Sequence, residues 1–574
     1  MPSLSSILRM EQELKKYLIE LFTDHEGDRE IYRKDKDEIE RCASLNISPH
    51  PDESDLSTDF LTPVFLTPVA KKYYQQKDDP NGIQLLKPLK KRLLESEGPW
   101  SYLGKVWILD PLKSGYIHFK FRKEFWHDII KEVSEKGDNY GKDNYVREDL
   151  IPGKMQIEFV SANPTGPLNV VNARAAAVGD ALARAFSALG ANVTKEYYVN
   201  DEGRQIKLLG ESVLAAQKKL VGEEALPPED GYRGEYITEL ARQLPKENAI
   251  QLGQMAVKQI IDWQERALAK YGVSFDSWYR QSELEEQGYL GKTRQALNDA
   301  ECIYEKDGAV WLRTSDFGDS ADQVLVKSDG ETTYFLADVA YHMRKHKQGY
   351  QLVIDILGPD HHGHKARMKS AMRALRYESK WLEILIAQQV NIVRGGERVK
   401  MGKRVGEFIT LEELIEEVGV DVAKYFFLER GLSSHMDFDF ELAKKTSMEN
   451  PVYYIQYAHA RICSLLSEGE QLSLSPLFGA ALKYSFNAEE IALCRELLMY
   501  PRIVLFVVIG RQPQLLCSYL HNLAGIFHKY YTKYRILQAE TEGAIQGRLN
   551  LVEAVRQVIA NGLDLLGISA PEKM

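Results

Sequence analysis

The stretch that decides the fold runs from Met155 to Leu189 and reads MQIEFVSANPTGPLNVVNARAAAVGDALARAFSAL. Its first part, Met155–Ser161, alternates apolar side chains and predicts a strand. The following NPTGP predicts a loop, because its two prolines lack the N–H donor that both regular structures use and Gly166 favours a turn. The alanine-rich run from Ala173 predicts a helix that ends at Gly190.

A strand, a loop and a helix N-terminus in this order can bind an anion. The first N–H groups of a helix have no partner within it, and the helix dipole is positive at that end. Many doubly wound domains contain the same unit without a nucleotide. Its form alone therefore leaves two interpretations open, a phosphate site or an ordinary connection between a strand and a helix.

The bulk composition predicts a globular protein of three or four domains. The 574 residues carry a net charge of −10, so no overall basic field indicates nucleic acid, although a local basic face suffices for RNA. The five cysteines form no CxxC pair and are typical of reduced cytosolic thiols without zinc. No signal peptide opens the chain, and its longest apolar run, Ile503–Ile509, is far short of the ~20 residues of a membrane helix. We expect a cytoplasmic protein that does not enter membranes.

Alternating strands and helices in the middle of the chain predict a doubly wound α/β sheet. Val193–Val199 reads as a second strand, and a helical insertion follows from Ile206 to about Tyr271. The apolar, β-branched run Leu352–Leu357 predicts a buried parallel strand. Several of these strands lead into polar loops, so we expect the functional site at the carboxyl ends of the strands.

The opening stretch resembles the first ATP motif of class I aminoacyl-tRNA synthetases, and its surroundings resemble arginyl-tRNA synthetase. The family has EFVSANPTGPLHVGH where this chain has EFVSANPTGPLNVVN. The likeness continues in VTKEYYVNDEGRQI, in NPVYYIQYAHAR and in the closing LLGISAPEKM. It covers roughly residues 150–574, with a weaker likeness before them.

The resemblance implies a Rossmann-type α/β catalytic domain with an insertion, an α+β N-terminal domain and an all-α C-terminal bundle. We expect a domain like the tRNA-contacting one at 1–124, the catalytic domain at 125–438 and an anticodon-binding-like bundle at 439–574. The insertion is expected at about 206–328 and a KMSKS-like loop at 400–404. In the N-terminal domain, helical spacing between Leu4 and Leu21 and a strand at Ser114–Phe121 fit a plain packing module equally well.

The substrate that the resemblance implies is arginine, whose guanidinium requires a carboxylate facing its planar fork. The resemblance assigns Tyr334 and Asp338, one helical turn apart, to the guanidinium end of the site. It assigns Glu158 and Asn163 to the amino and carboxylate ends. Taken singly, Asp338 could be a first-turn carboxylate and Tyr334 a core aromatic residue, but the matching frame around them favours the arginine site.

A second ATP motif is expected after a hairpin at Gly395-Gly396. The segment KMGKR resembles the family's KMSKR loop, in which Lys400 and Lys403 clamp the triphosphate and neutralise the departing pyrophosphate. Gly402 stands in place of the usual serine.

The segment Asp360-His361-His362-Gly363-His364 matches the family's DHHGY and implies ATP contacts by Asp360 and His361. Adjacent histidines can indicate a metal, but no third ligand is apparent nearby, and we expect no structural metal.

The first ATP motif departs from the family at its catalytic positions. In His-x-Gly-His both imidazoles donate to phosphate oxygens, and the glycine lets adenine lie against the backbone. Here these positions hold Asn169, Val171 and Asn172. An asparagine can donate a hydrogen bond but cannot carry a positive charge, and the valine can occupy the space of the adenine. The loss of one preorganised donor typically costs ~3 kcal/mol of transition-state stabilisation.

Aromatic and basic residues interleave on two predicted helices of the C-terminal bundle. Basic groups hold phosphates and aromatic rings stack on splayed bases, as an anticodon loop requires. A bundle helix with a solvated basic face is the alternative. The predicted RNA-binding residues are Tyr454, Tyr457, Arg461, Lys529, Tyr530, Lys533 and Arg535.

Two functions remain open at this point, and a third is more remote. The first is a ligase that joins arginine to tRNA(Arg) through an arginyl-adenylate, with Mg-bound ATP as co-substrate, impaired by its altered first motif. The second is a silenced paralogue that binds arginine, a tRNA-like RNA or both. The third is an enzyme redirected to another activated donor. We expect a monomer in each case.

Overall fold

A computed structural model of the chain describes residues 6–23, 46–47, 56–58, 103–109, 116–142, 151–399, 409–478 and 484–574, together with Lys91, Leu93 and Glu95. Within these ranges the strands, in chain order, are β1 Asn46–Ile47, β2 Leu56–Thr58, β3 Leu103–Leu109, β4 Tyr116–Phe121, β5 Lys154–Glu158, β6 Asn192–Val199, β7 Ser277–Arg280, β8 Ile303–Lys306, β9 Ala309–Leu312, β10 Gln323–Val326, β11 Leu352–Leu357, β12 Leu382–Ile386, β13 Val390–Arg394, β14 Glu397–Val399 and β15 Met436–Asp439.

The helices of the same ranges are α1 Ser6–Thr23, α2 Glu124–Lys136, α3 Val170–Ala188, α4 Arg204–Leu220, α5 Glu235–Gln243, α6 Ala249–Lys270, α7 Gln281–Glu286, α8 Tyr289–Asp299, α9 Tyr334–Lys347, α10 His362–Ala374, α11 Leu411–Val418, α12 Val420–Leu428, α13 Phe440–Ala443, α14 Pro451–Gln471, α15 Ala488–Gly510, α16 Gln514–Lys533 and α17 Glu542–Leu565. Among them, none combines the length and the apolar character that a membrane crossing requires.

A five-stranded sheet in the order β12–β11–β5–β6–β7, with all strands parallel, forms the centre of the fold. The chain passes from β5 to β6 and β7 on one side and returns to β11 on the other. The topological switch point therefore lies between β5 and β11, where open α/β sheets bind their ligands at the carboxyl ends of the strands. The doubly wound fold predicted from the sequence is confirmed.

The strand predicted at Met155–Ser161 is shorter than expected. It ends at Glu158, because Val160 and Ser161 have positive φ angles of 70° and 36° and leave the extended conformation. The helix predicted from Ala173 begins three residues earlier, at Val170, because Asn169 caps its first turn. Its end is as predicted, with Gly190 in a positive-φ conformation of 96°.

Two insertions lie between the strands of the parallel sheet. The first contains α4 to α6, and its long helices α4 and α6 pack closely where Gly210 and Gly253 leave no room for a side chain. The second is the antiparallel sheet β10–β9–β8, after which Gly330 closes the predicted turn with a φ of 88°. The predicted hairpin at Gly395-Gly396 is present between β13 and β14.

The N-terminal unit and the C-terminal bundle are in contact. The predicted amphipathic helix is α1, which buries Leu8 and Leu14, and its Glu11 pairs with the buried Arg502 of α15 at 2.7 Å. The strand predicted at Ser114–Phe121 is β4, in a sheet of order β1–β2–β4–β3. Helix α2, at the expected start of the catalytic domain, packs on α15 and α17 of the bundle instead of on the parallel sheet.

Candidate active site at the carboxyl ends of the strands

A cavity of about 680 Å³ opens at the switch point of the parallel sheet. Five of the residues predicted from the sequence line it together: Glu158, Asn163, Tyr334, Asp338 and His361. They come from the end of β5, the loop after it, the first turns of α9 and the turn after β11. The carboxyl ends of β5 and β11 thus form the expected site.

Helix α9 presents Tyr334 and Asp338 to the cavity from its first two turns. The helix begins there because the Thr333 hydroxyl accepts a hydrogen bond from the N–H of Leu336 at 3.3 Å. The phenol ring is 56% exposed and the Asp338 side chain 34% exposed. Neither side chain is buried in the core, so Tyr334 is not the core aromatic residue that the sequence alone allowed.

Three carboxylates lie side by side under the cavity on the three central strands. Glu158 is paired in register with Asp355 of β11 on one side and with Glu196 of β6 on the other, and all three are at most 5% exposed. Because paired residues of a sheet point to the same face, the three negative charges share one buried layer. We call Glu158, Asp355 and Glu196 the carboxylate row.

Cations of α9 neutralise the carboxylate row. The buried Lys345 ammonium donates to Glu158 Oε2 at 2.6 Å and to Asp355 Oδ1 at 2.9 Å. His342 Nε2 lies 2.7 Å from the other oxygen of Asp355, and Arg344 forms a two-pronged ion pair with Glu196. Burial alone would raise the pKa of Asp355, but Lys345 and His342 hold it well below its usual range.

Sequence reasoning missed this layer of charges. Lys345 belongs to the run RKHK at the end of a helix, which is typical of a solvated helix terminus. The available signal was Asp355, an acidic residue inside an otherwise apolar buried strand. Such a residue requires a charged or hydrogen-bonding partner, and the helix before the strand was the nearest source of one.

Asp338 differs from the carboxylate row because, among the described residues, no lysine or arginine forms an ion pair with it, although the charge of Lys345 lowers its pKa. Burial is the main reason that its pKa is raised to about 7; His342 opposes this effect, and Glu158 and Asp355 add to it. The imidazole of His364 lies beside it, with Nε2 3.6 Å from Asp338 Oδ2. Burial lowers the pKa of His364 to about 4, helped by His342, His361 and Arg367, so this imidazole is neutral near pH 7.

The two asparagines of the first motif cap helix α3 with each other. Asn169 Oδ1 accepts hydrogen bonds from the N–H groups of Val171 at 3.0 Å and Asn172 at 3.2 Å. Asn172 Oδ1 accepts in return from the N–H of Asn169 at 3.0 Å. This reciprocal capping box satisfies two of the donors expected to be available to an anion. Val171 is half-buried and packs against the main core.

The loop between β5 and α3 is held by residues that the sequence did not indicate. The buried Gln264 of α6 donates to the carbonyl of Gly166 at 2.9 Å, and its side-chain oxygen accepts from the Tyr197 hydroxyl at 2.8 Å. Tyr236 of α5 donates to the carbonyl of Thr165 at 3.0 Å. The helical insertion thus fixes the loop that precedes Asn169.

The second motif is described only at its borders. Lys400, Gly402 and Lys403 lie outside the described residues, between the end of β14 and Ile409. The chain continues with Thr410, which forms an isolated β-bridge with Asn169, and the N–H of Leu411 donates to the carbonyl of Leu168 at 2.9 Å. The segment just after the second motif is therefore adjacent to the first.

The remaining ATP candidates lie on the turn before α10. Asp360 and His361 are exposed, and His361 also lines the cavity, whereas Asn169, Asn172 and Asp360 are not among the lining residues. Within the described ranges, no group of three or more His, Cys, Asp or Glu side chains is arranged to hold a metal ion.

Of the predicted RNA-binding residues, three are exposed, three are half-buried (Tyr454, Tyr457 and Arg461) and one is buried. Lys529 and Arg535 are exposed, while Lys533 is exposed but paired with Glu489. The Arg461 guanidinium lies 4.6 Å from the ring centroid of Tyr457. Tyr454 packs its ring near His521 and His528.

The prediction for Tyr530 is wrong. Its side chain is 1% exposed, and its hydroxyl donates to the buried Glu490 of α15 at 3.1 Å. The helical period places Tyr530 on the core face of α16, whereas the neighbouring Lys529 faces solvent. A ring inside the bundle cannot stack on a base.

Comparisons with known proteins agree with this architecture. The family model for "tRNA synthetases class I (R), catalytic domain" matches residues 150–439, and the model for "DALR anticodon binding domain" matches residues 455–574. The chain is 43% identical over 475 residues to the arginine–tRNA ligase of Carboxydothermus hydrogenoformans, which covers 80% of this chain and 84% of that protein.

Another relative and a solved structure give the same result. The arginine–tRNA ligase of Thermotoga maritima is 42% identical over 482 residues, covering 82% of this chain and 87% of its own length. The structure of Thermus thermophilus arginyl-tRNA synthetase superposes with a TM-score of 0.70 at 21% identity, covering 92% of this chain and 96% of the other. At 21% identity, this match to a solved structure supports the fold alone.

Proposed function

The chain belongs to the arginyl-tRNA synthetase family of class I enzymes, and we propose that it ligates arginine to a tRNA in an ATP-dependent reaction slowed by its altered first motif. The observation that carries the proposal is the cavity at the switch point of the sheet, with Asp338 on its wall and, among the described residues, no lysine or arginine in an ion pair with that carboxylate. A guanidinium is the planar cation that can pair with this carboxylate through two hydrogen bonds.

The arginine end of the site is intact in this proposal. Asp338 receives the planar fork of the guanidinium, and Tyr334, one helical turn before it, covers the side chain. Glu158 faces the amino group and Asn163 the carboxylate. Glu158 is held in place for this role, since Lys345 donates to one of its oxygens and the Ser161 hydroxyl donates to the other at 2.9 Å. A wall whose polar groups are already held in position binds a polar substrate without reorganisation.

The nucleotide end is the weakened part of the site. In the reaction an oxygen of the arginine carboxylate attacks the α-phosphate of Mg-bound ATP, and pyrophosphate leaves with the electrons of the broken P–O bond. Asn169 and Asn172 can still donate through their side-chain amide N–H groups, because the capping box uses only their oxygens, as acceptors. Lys400, Gly402 and Lys403 are then the principal phosphate-binding residues, and Asp360 and His361 are assigned to the same nucleotide. Two lost imidazoles, at ~3 kcal/mol each, would slow activation by orders of magnitude.

The RNA partner in this proposal is tRNA(Arg) or an RNA that resembles it, and it binds the C-terminal bundle. Tyr454, Tyr457 and Arg461 on α14, with Lys529, Lys533 and Arg535 on and after α16, supply the rings and cations. The N-terminal unit offers a second contact with the RNA. We propose that the protein works as a monomer in the cytoplasm.

One observation favours a second function, a silenced paralogue that binds arginine without activating it. The capping box occupies helix donors that an anion would use, and Val171 stands where the family has no side chain. Both features fit a site that no longer accepts the triphosphate, while the arginine end keeps its charges.

The deciding assay measures arginine attachment to tRNA together with ATP–pyrophosphate exchange in the presence of that tRNA. Slow but enzyme-dependent product supports the ligase. Arginine binding without product above background rejects the ligase and supports the silenced paralogue.

A companion variant restores the motif with Asn169→His, Val171→Gly and Asn172→His. Exchange should rise steeply if only the first motif limits the rate, and Val171→Gly alone separates the steric obstacle from the missing charges. A flat response would mean that another part of the site prevents activation.

A further inference from the structure

His364 lies in the cavity beside Asp338 but has no role in the assignments above. It is the third residue of α10, and its side chain is 19% exposed. The family's DHHGY has tyrosine at this position, so the imidazole is a departure of this chain from that motif. This difference from the family lies at the arginine end of the site, where the other assigned residues match the family's motifs.

The imidazole and the carboxylate stand side by side without a mutual hydrogen bond. His364 Nε2 and Asp338 Oδ2 are 3.6 Å apart, which exceeds hydrogen-bonding distance. Each group can therefore accept a hydrogen bond from a ligand. A ligand with N–H donors that enters the cavity can reach both groups. Both residues line the same cavity.

The surroundings of His364 keep its ring uncharged. Burial is the largest cause of the lowering of its pKa to about 4, and neighbouring cations add to it. A neutral imidazole has one N–H donor and one acceptor nitrogen, whereas the charged ring has donors only and would repel a cation. The charged or titratable groups near the pair are His342 and Lys345 of α9, Glu158 and Asp355 of the strands, and His361 and Arg367 of the chain around His364.

A guanidinium carries more N–H groups than one carboxylate can accept. It has five donors in a plane, of which a facing carboxylate takes two. We propose that His364 is a specificity-determining residue of the arginine site, where its ring nitrogen accepts a further hydrogen bond from the guanidinium bound by Asp338. This inference rests on the proposed arginine site and adds the residue that distinguishes arginine from its neutral analogue.

Citrulline is the analogue that tests the distinction. Its urea group has an oxygen in place of one guanidinium NH₂, so an acceptor of the ligand faces an acceptor of the protein and the charge on the ligand is lost. The unchanged protein should therefore bind arginine much more tightly than citrulline. Removing the imidazole should weaken arginine but leave citrulline nearly unaffected.

The experiment measures dissociation constants for arginine and citrulline by calorimetry at pH 7.5 on the full chain. His364→Phe, which keeps a ring but no acceptor, should weaken arginine about tenfold or more and change citrulline by less than about threefold. His364→Gln, whose amide oxygen can accept, should keep arginine within about threefold of the unchanged protein. His435→Phe is the matched control, since His435 is exposed and does not line the cavity.

The outcomes separate this inference from the proposed function. If the unchanged protein does not bind arginine, the arginine site itself is refuted and the role of His364 with it. If the unchanged protein binds arginine and His364→Phe binds it equally well, only the role of His364 is refuted. An equal loss of arginine and citrulline in a folded His364→Phe variant would also refute it, because the ring would then act by shape alone.

Discussion

Lys345 is the side chain on which the floor of the cavity depends most. It is fully buried and donates to two of the three members of the carboxylate row. A buried ion pair adds little net stability, but the removal of one partner leaves the other uncompensated; here Glu158 would lose its cation and Asp355 would keep only His342.

Lys345→Met should therefore lower the free energy of unfolding by about 3–5 kcal/mol. Urea titration at pH 7 measures the change. Lys347→Met is the matched control, because Lys347 lies on the same helix turn but is exposed, and it should change stability by less than ~0.5 kcal/mol. Equal stability of both variants would mean that water reaches the carboxylate row.

The titration of Asp338 predicts how arginine binding depends on pH. Its pKa is raised to about 7 in the free protein, and only the ionised form attracts a guanidinium. Affinity should be constant above pH 7 and weaken up to tenfold per unit below it, as the carboxyl takes up its proton. Calorimetry between pH 5.5 and 8.5 measures this.

Asp338→Asn provides the control for the titration. It should bind arginine weakly and with little dependence on pH, because an amide does not titrate. A slope below pH 7 that survives in this variant would assign the titration to another group.

At the scale of the element, the capping box of α3 shows how a lost catalytic motif can become structural. The two amide oxygens fix the first turn of a helix that carries much of the buried core, including the fully buried Arg174. An asparagine is among the best N-cap residues, whereas a histidine is not. The asparagines thus support the helix at positions where the family's histidines serve the substrate.

Asn169→Ala should lower the free energy of unfolding by about 1 kcal/mol, the usual contribution of an N-cap. Asn169→Ser keeps an acceptor at the cap and should lose only a fraction of that amount. Thermal or urea unfolding of the two variants compares them. If Asn169→Ala leaves the free energy of unfolding unchanged, the β-bridge to Thr410 holds the start of the helix without the cap.

The elements of the fold could be predicted where local pattern alone determines them. The run Leu352–Leu357 predicts a buried strand because five of its six side chains are apolar, and β11 has these bounds. The strand end at Glu158 could not be predicted, since the positive φ of Val160 is unusual for a branched residue and is imposed by the surrounding structure.

The site was predictable only to the extent that its residues are recognisable by motif. Tyr334 and Asp338 share a helix face and were assigned together. Lys345 and Glu196 were missed, because their roles arise from strand register and from a helix packed across it, and neither leaves a local pattern.

At the scale of the whole molecule, the ion pair between Glu11 and Arg502 joins the N-terminal unit to the bundle. Both side chains are nearly buried, at 10% and 3% exposure, so solvent screens the pair little. Contacts of this kind couple the stabilities of the two units.

Glu11→Gln and Arg502→Met should each destabilise the chain, and the double variant should lose less than the sum. A coupling energy of about 1–3 kcal/mol is expected from a double-mutant cycle of unfolding free energies. The exposed pair Lys131–Glu135 on α2 provides a comparison cycle, with an expected coupling below ~0.5 kcal/mol. Additive effects at Glu11 and Arg502 would show that the two units unfold independently.

The carboxylate row also has a consequence for how the chain is made. Glu158 and Glu196 leave the ribosome about 150 residues or more before Lys345 is synthesised. At about 5–20 residues per second, the first two strands wait roughly 10–30 seconds for the cation that lets them come together in a dry interior. Burial of these strands before that time would leave their carboxylates without a neutralising cation, so we expect the centre of the sheet to close only after α9 has been synthesised.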